Sequence, residues 1–295
     1  MPLRLTHHVR LAVLLFLICP ASLAAAAEPV VETKTARLTN PFFAFDNGTG
    51  RGTLSADAQA RMVAELGYKG IGYTGGQGIP EMLGALDKSN LKMFSIYVAA
   101  RVGKNGPSYD PRLKEALAAL KGRETFIWLT VQGSIKDDDA QAVKIVGEVA
   151  DLAAKAGLRV ALYPHVGFYV ARTEDALRIV KKAKRPNLGV SLNLCHFLKL
   201  DRQQNLAPLL KQALPHLMLV SINGADHEGG WDRLIQTLDR GQFDVYAFLK
   251  QLKSLGYDGP IGLQCYAIKG DRRENLQRSI SAWRGFVKRM AKEGP

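Results

Sequence analysis

The sequence predicts an α/β fold, a (β/α)8 barrel built as a single domain. Three observations carry that expectation. Eight short runs with strand character recur along the chain, each set off from the next by a helical or polar segment. Most of these runs are continuously apolar, as expected of parallel strands buried on both faces. The 295 residues leave room for one barrel of about 250 residues and little else. Strand alternating with helix implies parallel strands with right-handed crossovers, and closure into a barrel follows naturally. An open, doubly wound sheet is the competing arrangement. No G-x-G-x-x-G opens a helix after the first strand, which argues against a dinucleotide site.

The strands are expected over residues 42–46, 70–73, 91–98, 125–132, 158–165, 188–195, 217–223 and 260–266. Helices are expected over 55–66, 111–121, 138–156, 173–183, 243–255 and 275–291. In the third of these, Ala140, Val143, Val146, Val149, Leu152 and Ala153 recur at helical spacing and form an apolar stripe. Gly67, Gly122, Gly157 and Gly256 each follow a helix, where a left-handed residue ends it.

The N-terminus reads as an export signal. Arg4 and Arg10 make a basic region, Leu11 to Cys19 an apolar core, and Ala24 to Ala27 the small residues before a cleavage site. Residues 1–27 are therefore expected to be a Sec-type signal peptide, 28–40 a polar leader, and 41–293 the barrel. The apolar run is too short for a comfortable bilayer span, so no stable membrane span is expected after cleavage. The mature protein is expected in the periplasm or secreted. Cys195 and Cys265 remain after cleavage, on strands that are not neighbours, and are expected to be free thiols.

The chain is 47% hydrophobic and 23% charged, with a net charge of +13. A basic surface attracts anions, but the lysines and arginines are scattered over helix surfaces, as at Lys181, Lys182, Lys184 and Arg185. No nucleic-acid partner is expected.

Side chains alternate along a strand, and the aliphatic positions should face the surrounding helices. In the third strand this turns Lys92, Phe94, Ile96 and Val98 outward, with Ser95 and Tyr97 inward. The later strands then present Trp128, Thr130 and Gln132; Tyr163 and His165; Ser191, Asn193 and Cys195; Ser221 and Asn223; Gln264 and Tyr266. Groups at strand C-termini form the sites of parallel α/β folds. This set is polar, mostly uncharged and interleaved with aromatics, which suits sugar hydroxyls and a stacked pyranose face. Tyr97, Gln132, Tyr163, Asn193, Ser221, Asn223 and Gln264 are the expected substrate-binding residues. His165 and His196, at the tops of adjacent strands, are suited to proton transfer. Asp46 is placed to orient an imidazole or act as a base. Lys199 is placed to bind an anion or polarise a carbonyl. His227, in the loop after the seventh strand, is a weaker candidate. A competing reading is that these polar groups only satisfy one another within the barrel.

The run LRVALYPHVGFYVARTEDALRIVKKAKRPNLGVSLNLCH, from Leu158 to His196, together with residues 67–73 and 256–266, resembles the xylose isomerase-like TIM barrels. That superfamily holds sugar isomerases, sugar epimerases and endonuclease IV. In members similar to sugar epimerases, the fifth strand ends in a metal-binding Glu that also moves a proton; Tyr163 stands there. The sixth carries Asp-x-x-His, matched here by Asn193-Leu194-Cys195-His196. Ser221 stands at the position of a ligand His, and Gln264, in GPIGLQCY, at that of a second Glu. The resemblance therefore implies a small carbohydrate or sugar derivative as ligand and isomerase- or epimerase-type proton transfer next to a carbonyl. It also shows the metal-ligand positions occupied by residues that hold Mg²⁺ or Mn²⁺ poorly. No cofactor is expected; a metal, if bound, would rest on His165 and His196. The alternatives are a non-catalytic carbohydrate-binding pseudoenzyme, a metal-free sugar lyase, or a structural partner of another exported enzyme. The oligomeric state is not encoded in these patterns.

Overall fold

A computed structural model describes residues 37–103, 108–134 and 139–293. The expected signal peptide, and the leader up to residue 36, lie outside the described residues. The described residues belong to one compact unit.

The elements run β1 (Phe42–Phe45), α1 (Asp46–Thr49), α2 (Ala56–Leu66), β2 (Gly70–Thr74), α3 (Ile79–Lys88), β3 (Lys92–Arg101) and α4 (Leu113–Ala119). They continue with β4 (Phe126–Gln132), α5 (Asp139–Lys155), β5 (Arg159–Leu162), α6 (Thr173–Ala183), β6 (Leu188–Asn193), α7 (Leu194–Leu200) and α8 (Leu206–Ala213). The last are β7 (Leu217–Ile222), α9 (Trp231–Leu234), α10 (Val245–Ser254), β8 (Ile261–Leu263) and α11 (Arg272–Glu293). All eight strands pair in sequence order and in parallel, and β8 returns to β1, closing the barrel. The expected fold is therefore the observed one.

Two corrections follow from local geometry. The sixth expected strand ran to residue 195, but β6 stops at Asn193 and α7 starts at Leu194. Cys195 and His196 therefore project from a helix rather than a strand. The sequence reading also assigned no helices at α3 and α8, although Ile79, Met82, Leu83 and Leu86, and Leu206, Leu209, Leu210 and Ala213, are buried at helical spacing.

The barrel interior is aromatic. Phe43 stacks on Phe94 at 4.7 Å, Phe45 on Trp128 at 4.6 Å, and Trp128 on Tyr163 at 3.7 Å. Such a column needs empty positions opposite it. A β-carbon on Gly72 would lie 2.4 Å from the Phe45 ring, and one on Gly262 would lie 2.6 Å from both Phe43 and Phe45. Glycine on β2 and β8 thus makes the space that the β1 phenylalanines fill. Phe94 was expected to face outward. Instead the β2–β3 register slips between Ile71 and Gly72, whose partners are Met93 and Ser95, leaving Phe94 as an extra residue. The bulge turns its ring into the barrel. The aliphatic faces of the strands pack against the helices in the larger outer core.

Candidate functional site

At the C-terminal end of the barrel lies a cavity of about 540 Å³, within the usual range for small-molecule sites. Its lining includes Trp128, Tyr163, His165, His196 and Gln264, which the sequence singled out, and Asn47, Arg51, Thr74 and Trp231, which it did not. Tyr97 and Tyr266 also line it.

One wall follows β5 and β6. Pro164 to Gly167 form an irregular turn after β5, and both backbone groups of Val166 point at imidazoles. The Val166 carbonyl lies 2.9 Å from His165 Nδ1. A carbonyl only accepts, so Nδ1 carries the proton and Nε2 keeps a lone pair. The Val166 N–H donates to His196 Nδ1 at 3.3 Å, so His196 carries its proton on Nε2, 3.0 Å from the Tyr163 hydroxyl oxygen. The two rings lie 4.1 Å apart in opposite tautomers. Burial lowers the pKa of both: His165 falls below its usual 6.5, and His196, with His165 beside it, falls to about 3. Both are neutral at pH 7. Burial also holds the Tyr163 phenol well above its ordinary range, so its proton stays in place.

The facing wall comes from β8 and β1. Gln264 Oε1 accepts from Asn47 Nδ2 at 2.5 Å, from the Cys265 N–H at 3.0 Å and from the Tyr266 N–H at 3.1 Å. Its Nε2 group has no partner among the described residues and belongs to a side chain lining the cavity. Asp46 lies beneath this wall, 1% exposed. Thr74 donates to it through its N–H at 2.8 Å and its hydroxyl at 2.7 Å, and Arg51 reaches it at 3.4 Å. Burial raises the Asp46 pKa, with Thr74 and Arg51 opposing the shift.

Other expected site residues have different neighbours. Asp46 touches no imidazole and does not line the cavity; it fixes Thr74 and Arg51 instead. Lys199 donates to the Gly229 carbonyl at 2.9 Å and lies over the Trp231 ring; at the end of a seven-residue helix it is turned toward the loop after β7. Asn223 donates to the carbonyls of Gly224 and Leu234, holding that same loop. Gln132 ends β4 half-buried, outside the cavity lining. Asn193 and Ser221 are paired in register and buried beneath the mouth. Asn193 Nδ2 and Ser221 Oγ have no hydrogen-bond partner among the described residues, while Asn193 Oδ1 accepts from the Cys195 thiol. His227 is exposed. Cys195 and Cys265 are free and buried. The position of Asn47, two residues past β1, is a strand-end signal that the sequence reading passed over. Arg51 lies in the turn after α1 and Trp231 opens the short helix α9, away from any strand end, and neither carries such a signal.

The four positions at which the resemblance places metal ligands do not suit a divalent cation. Tyr163 keeps its proton, Asn193 Oδ1 is neutral and already accepts from the Cys195 thiol, Ser221 is a neutral hydroxyl, and Gln264 Oε1 already accepts three N–H groups. Hard divalent cations need anionic oxygen or imidazole donors to offset dehydration. Among the described residues, no group of three or more His, Cys, Asp or Glu comes together. No helix among them is long and apolar enough to cross a membrane.

The xylose isomerase-like TIM barrel family model matches residues 60–286. A ketose 3-epimerase from Arthrobacter globiformis is 30% identical over 151 residues, covering 50% of this chain and 48% of that protein; the match spans about half the length of that relative. Among solved structures, the IolI protein with a bound zinc atom superposes with a TM-score of 0.68 at 16% identity, covering 84% of this chain and 98% of that one. D-allulose 3-epimerase from Methylomonas sp. gives a TM-score of 0.67 at 17% identity, with the same coverage. The 3-keto-D-glucoside 4-epimerase of E. coli gives 0.63 at 17%, covering 85% and 99%. At these identities the structures establish a shared fold.

Proposed function

Because the chain belongs to the xylose isomerase-like TIM barrel family, we propose that its cavity takes a carbohydrate and moves a proton next to the sugar carbonyl without a divalent metal. The relatives named as ketose, allulose and ketoglucoside epimerases support the carbohydrate. The observation that carries the chemistry is the pair of hydrogen bonds from Val166, which leave His165 Nε2 as a free lone pair on a neutral imidazole at the cavity wall. His165 acts as the base, taking the proton from the carbon beside the carbonyl. The electron pair moves onto the carbonyl oxygen, and donors on the lining stabilise the developing charge: Gln264 Nε2, the Arg51 guanidinium and the Tyr163 hydroxyl. A single base returns the proton to the face it came from. That favours isomerisation between aldose and ketose over inversion of a carbon, which needs a second group on the opposite face.

A second reading, binding without turnover, is favoured by one observation. Among the described residues lining the cavity, no second side chain offers a free basic atom: His196 Nδ1 accepts from Val166, and Asp46 is buried below. Incubation with ketoses in D₂O separates the two readings. Deuterium entering the carbon beside the carbonyl, and ceasing to enter with His165→Ala, supports the catalytic reading. Sugar binding without exchange leaves the binding reading in its place. Export belongs to the same proposal, and rests on the basic, apolar and small-residue segments of residues 1–27. N-terminal sequencing of protein recovered outside the cytoplasm checks it; an intact Met1 overturns it.

A further inference from the structure

We propose that the preferred ligand is a glycoside with two rings, the second ring lying in an adjoining cavity walled by Arg101 and Tyr109. The proposal rests on the carbohydrate reading above and names the class of sugar. The adjoining cavity, about 450 Å³, lies between the C-terminal ends of β2 and β3 and residues 109–111. Its lining includes Thr74, Gly75, Tyr97, Arg101, Tyr109 and Asp110. Thr74 and Tyr97 also line the first cavity, so one ligand can lie against both without leaving the surface. Each cavity by itself falls in the size range of small-molecule sites.

The shared boundary is held firmly. Thr74 is fixed by two hydrogen bonds to Asp46, and the Gly75 N–H donates to the Tyr97 carbonyl at 2.9 Å. This gives the buried Asp46 a purpose: it sets the partition between the two cavities rather than serving an imidazole. The outer wall is built by the length of β3. At ten residues, β3 continues to Arg101, four residues past Tyr97. There Ala100 forms an antiparallel bridge with Tyr109, and the Arg101 N–H donates to the Ser108 carbonyl at 2.7 Å. These pairings place Tyr109 beside Arg101.

The polar groups of this second cavity divide into engaged and free. Asp110 is engaged, its oxygens accepting from the Arg112 backbone and guanidinium. The Arg101 side chain is exposed and has no hydrogen-bond or ion-pair partner among the described residues. An exposed guanidinium beside a tyrosine offers hydrogen bonds to ring hydroxyls and an apolar surface to pack on. That chemistry receives a second sugar ring.

Calorimetry on the full protein tests this. D-glucose, D-galactose, D-mannose and D-xylose are compared with the reducing disaccharides cellobiose, maltose and lactose. At least one two-ring compound should bind about ten-fold tighter or more than its parent monosaccharide. Arg101→Gln and Tyr109→Ala should cut that advantage to about two-fold or less and leave the monosaccharide affinity unchanged. Arg101 is exposed, so its variant carries the test if Tyr109→Ala fails to fold. Monosaccharide binding with no gain for any two-ring compound overturns this proposal and leaves the carbohydrate reading standing. Variants that weaken one-ring and two-ring ligands equally also overturn it. Binding of none of these sugars removes both.

Discussion

The two walls of the main cavity present similar residue types at equivalent strand ends, yet they are organised by different means. On the β5–β6 side, backbone groups set the chemistry: one residue, Val166, donates to His196 and accepts from His165. On the β8–β1 side, Asn47 and Gln264, 217 residues apart in sequence, hold each other, with backbone N–H groups completing the Gln264 acceptor. The first wall yields a free base on a neutral ring. The second yields fixed donors. The contrast shows that a polar strand end specifies a place for chemistry, while its neighbours decide whether that chemistry is basic or donating.

The largest expected effect breaks the two walls apart. His165→Ala should slow deuterium exchange by about 100-fold or more, as removal of a general base does, whereas Gln264→Leu should leave measurable exchange. Because burial puts the His165 pKa below 6.5, wild-type exchange should be flat through neutral pH and fall in acid as the ring protonates. An unchanged rate in His165→Ala sinks the catalytic assignment of this wall.

Next in size is the pH dependence of stability. Both imidazoles are harder to protonate in the folded protein than in the unfolded chain. The unfolded state therefore binds more protons below about pH 6.5, and stability falls as the pH drops through that window. For His196 the window extends down to about 3, with a slope of about 1.4 kcal/mol per pH unit. Urea melts between pH 7 and 4.5 should show this loss, and His196→Phe should reduce it. A flat profile would mean that this wall is more solvated than its geometry indicates.

A smaller effect sharpens the other wall. Gln264→Leu removes the acceptor for the N–H groups of Cys265 and Tyr266 and for the Asn47 amide, and should cost about 1–3 kcal/mol of stability. Gln264→Glu keeps the acceptor and should recover most of that loss in denaturant melts. If Leu and Glu behave alike, the amide network is not what holds this wall.

The smallest expected effect is none. Treatment with EDTA should change neither exchange nor sugar affinity, since the residues at the resemblance's ligand positions are neutral or already engaged. Loss of exchange, restored by Mn²⁺ or Zn²⁺, would show a metal held elsewhere in the cavity.

The fold was largely legible in the sequence. Strand periodicity and glycine stops depend on local backbone preference, and the matched lengths of strand and helix left few topologies. The β6 boundary was not legible, because Leu194-Cys195-His196 is as apolar as the strand before it and the helix starts without a side-chain cap. The inward turn of Phe94 was hidden as well, since a bulge is a property of two strands and β2 lies more than 20 residues upstream. Of the expected site residues, Tyr97, Tyr163, His165, His196 and Gln264 do meet at one cavity. Lys199, Asn223 and Asp46 instead support the loops and side chains around it.

The sequence by itself determined the barrel, the polar strand ends and the neutral residue types Tyr163, Asn193, Ser221 and Gln264 among them, because each follows from residue type and short-range pattern. Only the tertiary structure decided which histidine nitrogen is free, which carboxylate is buried out of reach, and that Arg51 and Trp231 reach the cavity. Those outcomes depend on hydrogen bonds and contacts between segments far apart in the chain, which no local pattern records.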